Sequence, residues 1–161
     1  SPGNMTARYS NETSAAGYRT GFFSRPLNNG KGHYGYTGLN PATSLDLNIL
    51  NGILLINHSS NPGYSETARP VIRVYTDAKT FLEKPFPPIS AHGFAEAMVE
   101  DLLPEVVKWK ENKTPFWIIT ECKGTSLASF HTYRDSHGSL LAIEHSRPSH
   151  AQVLDYWKKK K

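Results

Sequence analysis

The 161-residue chain has the length of one domain, and an apolar content of 38% with 11% aromatic residues is typical of a globular protein. No apolar run approaches the roughly 18 residues of a membrane span, so the sequence predicts no membrane partner. Its single cysteine, Cys122, excludes an internal disulfide and a multi-cysteine zinc site.

The net charge of +4 favours partners that carry phosphate, such as nucleic acid or a phosphorylated small molecule. Four lysines at residues 158–161 form one run at the end of the chain. Without that run the balance is about neutral, and such a run is typical of a solubilising end. The charge is therefore a weak indication of nucleic-acid binding.

The first segment, residues 1–16, consists largely of Ser, Thr, Asn and Ala and predicts a flexible arm. Residues 1–4 have the composition of a cloning remnant or of the cut end of a longer protein. Residues 17–161 are predicted to form one globular domain. Within it, the glycine- and aromatic-rich residues 17–38 predict two short strands joined by a polar loop.

Helices and strands are predicted to alternate in the middle of the chain. Asn40 and Pro41 are typical of a helix start, and the spacing of Leu45 and Ile49 predicts a short helix over residues 40–50. Strands are predicted over 52–58 and 70–76, and a short helix over 77–83. A long helix is predicted from residue 90 to 109, because apolar residues recur there at close to 3.6 positions. Pro104 kinks or divides it.

Three strands are predicted near the carboxyl end, over residues 115–124, 126–134 and 139–145. Short connections indicate an antiparallel meander, and a terminal helix over 149–157 closes the domain. The predicted class is α+β, with an antiparallel sheet packed against one long helix and several short ones. The strand over 115–124 is apolar until it delivers Glu121, Cys122 and Lys123 to its end.

Two stretches resemble the ADP-ribosyltransferase superfamily: residues 25–30, Arg-Pro-Leu-Asn-Asn-Gly, and residues 36–45, Tyr-Thr-Gly-Leu-Asn-Pro-Ala-Thr-Ser-Leu. They are closest to the Arg/Glu/Ser-type NAD-consuming toxins, in which an Arg-x-Asn-x-x-Gly loop leads into a Tyr-Thr-Ser strand and a Pro-x-Thr-Ala helix start. Residues 18–20, Tyr-Arg-Thr, are similar to the opening arginine of that superfamily. The resemblance covers residues 18–47.

The resemblance implies that NAD is the substrate. It implies that Arg19 and Arg25 bind the NAD phosphates and that Tyr36 and Thr37 hold the nicotinamide half. A guanidinium fork suits phosphate, and a carboxylate placed near the ribose stabilises the oxocarbenium ion of a dissociative transition state.

The chain departs from this family at two positions. Gly38 stands where the family has serine, and Leu47 where its helix glutamate would fall. The acid must therefore come from elsewhere, and we assign it to Glu121, with Glu66 as the second candidate.

A second set of polar residues lies on the predicted meander. Its members are Glu121, Lys123, His131, Arg134, Glu144 and His145. The layout is similar to that of barnase-like ribonucleases, in which a carboxylate takes the 2′-hydroxyl proton and a histidine protonates the leaving oxygen. Catalytic roles for Glu121, His131 and His145 follow from this reading. A five-residue loop at 122–126 puts Glu121 and His131 on one face, whereas a four-residue loop separates them.

Two further motifs point to phosphodiester chemistry. Glu121-Cys122-Lys123 is the Glu-x-Lys half of a nuclease signature that uses Mg²⁺. His58-Ser59-Ser60 and His137-Gly138-Ser139 are similar to the paired His-x-Ser/Thr elements of two-histidine phosphoesterases. No other metal centre is predicted.

The leading prediction is an NAD-consuming, ADP-ribosyltransferase-like toxin or effector enzyme. The alternative is a basic ribonuclease or phosphoesterase, and the third is a non-enzymatic interaction module that binds phosphate-rich ligands. The predicted partners are accordingly a nucleotide, a nucleic acid or a protein that is modified.

Overall fold

Alternation of buried and exposed side chains, rather than a helical period, organises this chain. Along Val71–Tyr75 and Trp117–Cys122, buried residues alternate with half-buried ones, as in strands that turn one face to a core. The computed structural model describes residues 5–10, 15–20, 35–40, 43–57, 59, 62–77, 79–123, 125 and 127–145.

The elements follow one another in a strand-rich order. In chain order they are β1 (Met5–Ser10), β2 (Ala15–Thr20), β3 (Gly35–Asn40), β4 (Ile49–Ile56), β5 (Val71–Tyr75), β6 (Phe81–Pro85), β7 (Phe94–Met98), α1 (Val99–Leu102), α2 (Glu105–Glu111), β8 (Trp117–Cys122), β9 (Ala128–Asp135) and β10 (Leu140–His145).

Two four-stranded sheets contain most of these strands. Sheet I has the order β3-β8-β5-β6, and sheet II has the order β10-β9-β4-β7. Every neighbouring pair is antiparallel. The strands β1 and β2 form a separate antiparallel pair, and β2 lies beside β10. The segment expected to be a flexible arm thus contains β1.

One hydrophobic cluster joins the two sheets and the helices. Sheet II contributes Ile53 and Leu55 from β4, and sheet I contributes residues such as Ile72 and Ile118. Val106 of α2 belongs to the same cluster and is fully buried. Each such side chain stabilises the fold by about 1.5–3 kcal/mol through removal from water. The inner face of each sheet is therefore committed to packing.

The prediction of one long helix is wrong. Residues 94–98 form β7 instead, in which Phe94 and Met98 pair with Ile56 and Gly52 of β4. Phe94 is 74% exposed rather than in the core. Sheet pairing overrides the helical spacing here, and the described residues that follow form only the short helices α1 and α2. Pro104 caps α2 and divides it from α1, as expected.

Two predicted short helices are also wrong. Residues 81–85 form β6, because this segment pairs in full with β5. In the predicted helix over 40–50, Asn40 ends β3 and Ile49 begins β4. Between them, Asp46 Oδ1 accepts a hydrogen bond from the Asn48 backbone N–H at 2.8 Å, which stabilises a turn in place of a helix. The strands predicted over 52–58 and 70–76 are confirmed as β4 and β5.

The predicted three-stranded meander is wrong as well. All three strands exist, but β8 lies between β3 and β5 in sheet I, whereas β9 and β10 pair in sheet II. Because β8 and β9 lie in different sheets, the length of the segment between them does not set a register. The two strands expected within residues 17–38 correspond to β2 and β3, but they do not pair with each other, since β2 pairs with β1 and β3 with β8. The terminal helix at 149–157 lies outside the described residues.

The fold is consequently richer in β-structure than the α+β arrangement predicted. Neither α1 nor α2 is long enough to span a bilayer, and no described helix has that length and apolarity.

Candidate functional site

Glu121 lies on the outer face of sheet I. In β8 the side chains of Ile118, Thr120 and Cys122 are buried, so Glu121 points to the opposite side with Trp117 and Ile119. The register of the sheet places Tyr36 of β3 on one side of Glu121 and Val71 of β5 on the other. Tyr36 and Glu121, which were assigned from distant parts of the sequence, are thus neighbours in sheet I.

Arg73 of β5 joins Glu121 to a second carboxylate, Glu83 of β6. Its Nη1 donates to Glu121 Oε2 at 2.6 Å, and its Nε donates to Glu83 Oε2. The hydrogen bond to Glu83 is the main cause of a raised Arg73 pKa, which desolvation opposes and the charges of Glu121 and Glu83 support. Side-chain exposures of 29–44% leave all three groups accessible to a ligand.

An aromatic row lies beside this charged cluster. Trp117, Tyr75 and Phe81 are consecutive partners across β8, β5 and β6. The Tyr75 and Trp117 ring planes differ by 7° with centroids 6.1 Å apart, and the Tyr75 and Phe81 centroids are 5.2 Å apart. The face thus combines a guanidinium, two carboxylates and three aromatic rings.

The other positions implied by the family resemblance are spread more widely. Arg19 lies in β2 opposite Thr6, on the pair of strands beside β10 rather than beside β8. Thr37 falls at a register irregularity of β3, between Tyr36 and Gly38. Arg25 lies outside the described residues. Among the described strands, only β3 brings a residue of the amino-terminal motif next to Glu121.

Glu66, the second candidate for the acid, is exposed in the loop that precedes β5. Its backbone carbonyl accepts a hydrogen bond from Asn57 Nδ2 at 2.8 Å. That contact fixes the loop without directing the Glu66 carboxylate to any partner of Glu121.

His131 lies on the inner face of sheet II, far from the surface. It is fully buried and pairs with Ile53 on the neighbouring strand β4. The centroid of its ring lies 4.3 Å from that of Tyr133. Neither ring nitrogen has a hydrogen-bond partner among the described residues. Burial lowers the pKa of His131 to about 4, so its imidazole is neutral at pH 7.

The residues of the ribonuclease hypothesis are therefore not assembled. Glu121 belongs to sheet I and His131 to sheet II. Arg134 lies on the face of β9 opposite to His131, where its Nη2 donates to Glu96 Oε2 at 2.8 Å. His145 lies opposite Phe130 in the register of β10 and β9, and its side chain is outside the described residues.

Of the paired His-x-Ser elements, the structure describes the second in full. His137 is exposed in the turn between β9 and β10, and His58 lies outside the described residues. Asp135 Oδ1 accepts hydrogen bonds from the backbone N–H groups of His137 and Ser139, at 2.9 and 2.8 Å. The hydrogen bonds described for His137 and Ser139 thus stabilise the turn between β9 and β10.

Sequence reasoning missed Arg73, Glu83 and the aromatic row. Alternation along Val71–Tyr75 already places Arg73 and Tyr75 on one face, so the sequence pattern could have predicted this part of the site. Glu83 was not, because its segment was predicted as a helix and the pairing of β6 with β5 depends on the sheet as a whole.

Cys122 is predicted to be unreactive towards thiol reagents in the folded protein. Its side chain is buried, and burial raises the pKa of the thiol, so the reactive thiolate is scarce at neutral pH. Labelling with DTNB at pH 7.5 should proceed only after urea is added. Rapid labelling of the native protein would contradict the buried position of Cys122 at the inner end of β8.

The part of the chain that is described contains no group of three or more His, Cys, Asp or Glu residues placed to hold a metal ion. Binding of Mg²⁺ through Glu121 and Lys123 remains a prediction from the Glu-x-Lys motif.

Comparison with protein-family models, with characterised proteins and with solved structures finds no match to this chain. The resemblance to ADP-ribosyltransferases thus depends on the motifs at residues 18–47 alone.

Proposed function

We propose that this protein is an NAD-consuming enzyme of the ADP-ribosyltransferase-like type, with Glu121 as its catalytic carboxylate. The observation that carries the proposal is the register of β3 and β8, which sets Tyr36 opposite Glu121. Opposite residues of an antiparallel pair lie about 5 Å apart, close enough for both to contact one nicotinamide riboside.

The chemistry requires an anion close to the ribose. When the bond between C1 of the ribose and the nicotinamide nitrogen breaks, the bonding pair leaves with nicotinamide and positive charge develops on the ribose. A fixed carboxylate stabilises that charge in the transition state more than in the ground state. The ion pair with Arg73 holds the Glu121 carboxylate at one position on the sheet, which serves this role without reorganisation.

The assigned binding residues complete the proposal. Tyr36 and Thr37 hold the nicotinamide half, and Arg25 binds the phosphates as the family resemblance implies. Arg19, which the resemblance also assigns to the phosphates, lies on the strand pair beside β10, so the proposal does not depend on it. Water or a protein side chain then takes the ADP-ribose group at C1.

The ribonuclease alternative receives less support from the described residues. A neutral, buried His131 lacks at pH 7 the second ring proton that a general acid gives to a leaving oxygen, and it lies in a different sheet from Glu121.

Glu121→Gln is expected to reduce nicotinamide release from NAD by roughly 100- to 1000-fold, the usual loss when one preorganised electrostatic contact to a transition state is removed. The amide keeps the size of the side chain and removes its charge. Release can be followed by chromatography of the reaction products at saturating NAD.

Glu83→Gln is the matched control. Glu83 is likewise a carboxylate bonded to Arg73, but it lies on β6, away from Tyr36. Its replacement should change nicotinamide release no more than a few-fold. Equal losses in the two variants would assign the effect to Arg73 and not to the Glu121 charge.

Absence of nicotinamide release at high enzyme concentration would reject the NAD proposal. Degradation of RNA by the same preparation would then favour the ribonuclease alternative, and loss of that degradation with EDTA would favour its Mg²⁺ form. If neither substrate is consumed, the interaction-module alternative stands.

A further inference from the structure

We propose that the outer face of sheet I carries a saccharide-binding site along the row formed by Phe81, Tyr75 and Trp117. This inference goes beyond the NAD proposal, because it depends on the aromatic row and its charged border, of which Glu121 is one member, and not on Tyr36 or on the amino-terminal motif.

The row has the shape of a stacking surface. Three aromatic side chains occupy three neighbouring strands in succession, and neighbouring strands are about 4.8 Å apart, so the row extends on the order of 10 Å. Phe81 is 47% exposed, and the planes of Tyr75 and Trp117 are nearly parallel. This length suits two consecutive pyranose rings, whose axial C–H groups form apolar faces that pack on aromatic rings.

The polar border selects for a neutral ligand with hydroxyl groups. Arg73 lies between Glu83 and Glu121, and each carboxylate uses Oε2 to accept from it. An anionic ligand such as a nucleic-acid backbone meets two carboxylates, and a cationic ligand meets the guanidinium. The two carboxylates outnumber the one guanidinium and repel an anion, and Arg73 already takes the position between them that a cationic ligand would need.

Hydrogen-bonding capacity points to the same class of ligand. In the described part of the chain, Oε1 of Glu83 and Oε1 of Glu121 accept no hydrogen bond, and Nη2 of Arg73 donates none. The border thus offers both acceptors and a donor next to an apolar surface. Sugar hydroxyls donate and accept at once, so a saccharide is the ligand class that uses all three features.

The test is a titration of the full chain with cellohexaose, maltohexaose, xylohexaose and chitohexaose, followed by two-dimensional NMR of the backbone and tryptophan indole N–H groups. Hexalysine and hexauridylate serve as cationic and anionic probes. We expect at least one hexasaccharide to bind and to shift the Trp117 indole signal, with no comparable shift from either charged probe.

Variants locate the site. Trp117→Ala and Phe81→Ala should each weaken binding about tenfold or more, as loss of one stacking partner commonly does. Phe94→Ala removes an exposed aromatic residue on sheet II and should leave the affinity unchanged. Phe81→Ala, at a position outside the residues assigned to NAD, should weaken saccharide binding while it spares nicotinamide release, so failure of this proposal and failure of the NAD proposal are distinguishable.

Three results would overturn the proposal: no binding of any of the four hexasaccharides, binding that Phe81→Ala leaves intact, or stronger binding of hexalysine or hexauridylate at the same row. Because Phe81 is exposed, its replacement by alanine is expected to fold even if Trp117→Ala does not.

Discussion

Replacing Lys110 by methionine is expected to destabilise the protein by about 3–5 kcal/mol, the usual cost of leaving one partner of a buried ion pair unpaired. Lys110 is only 1% exposed, and its Nζ donates to Glu100 Oε1 at 2.9 Å and to the carbonyl oxygen of Ile49 at 2.5 Å. Methionine fills the same space but leaves the Glu100 carboxylate without its counter-charge.

The network around Glu100 explains why the cost should be large. The backbone N–H of Asn51 donates to Glu100 Oε2 at 3.0 Å, and Asn51 Nδ2 donates to Glu100 Oε1 at 2.8 Å. Asn51 in turn accepts from the Ser44 backbone N–H at 2.8 Å. These bonds tie the start of β4 to α1 and α2, so their loss should loosen both helices against sheet II.

Urea denaturation followed by circular dichroism measures this effect. Lys108→Met, an exposed position on the same helix, should change the free energy of unfolding by no more than about 0.5 kcal/mol. The double variant Glu100→Gln/Lys110→Met should be less destabilised than the sum of its single variants, because the two groups interact directly. Equal stability of Lys110→Met and Lys108→Met would contradict a buried ion pair.

Strands with strong apolar runs are the ones that the sequence pattern predicts most directly. β4 contains Ile53, Leu54 and Leu55, and β8 contains the apolar residues that precede Glu121, so burial alone identifies both. Their neighbours were not predictable in the same way. The pairing of β8 with β3 and β5 depends on contacts between segments that are distant in sequence, and short connections wrongly favoured a local meander.

The missed strand β7 shows why a helical pattern can mislead. Phe94, Met98 and Leu102 are spaced as on one helix face, yet Phe94 is exposed and Met98 pairs with Gly52. The five residues 94–98 can satisfy their backbone hydrogen bonds in a sheet as well as in a helix. Pairing with β4 is available to them, and they form a strand. Of the candidate site, the sequence identified Glu121 and Tyr36, while the ion pairs of Arg73 required the order of strands in sheet I.

The stability of the protein is expected to fall by about 3 kcal/mol as the pH is lowered from 6.5 to 4, because of His131 alone. The pKa of His131 is lowered to about 4 by burial, against about 6.5 for an unfolded histidine, and each pKa unit corresponds to about 1.36 kcal/mol. Above pH 6.5 the imidazole is neutral in both states and contributes nothing. Between the two values only the unfolded state binds the proton, so the folded state loses stability, and below about pH 4 the loss is complete.

His131→Leu isolates this contribution from that of the carboxylates, which also titrate at low pH. The difference in unfolding free energy between wild type and His131→Leu should change by about 3 kcal/mol across that interval, whereas His137→Leu, in an exposed turn, should parallel the wild type. Parallel curves for wild type and His131→Leu would contradict the buried, unpaired position of this histidine.

At pH 7 the same leucine variant should be as stable as wild type or more stable, because it removes two buried nitrogens that have no partner among the described residues. That outcome bears on function as well as on folding. A histidine that can be replaced by leucine without loss of stability, and that takes up a proton only near pH 4, serves the core at neutral pH. A histidine with these properties is a poor general acid for a ribonuclease at neutral pH.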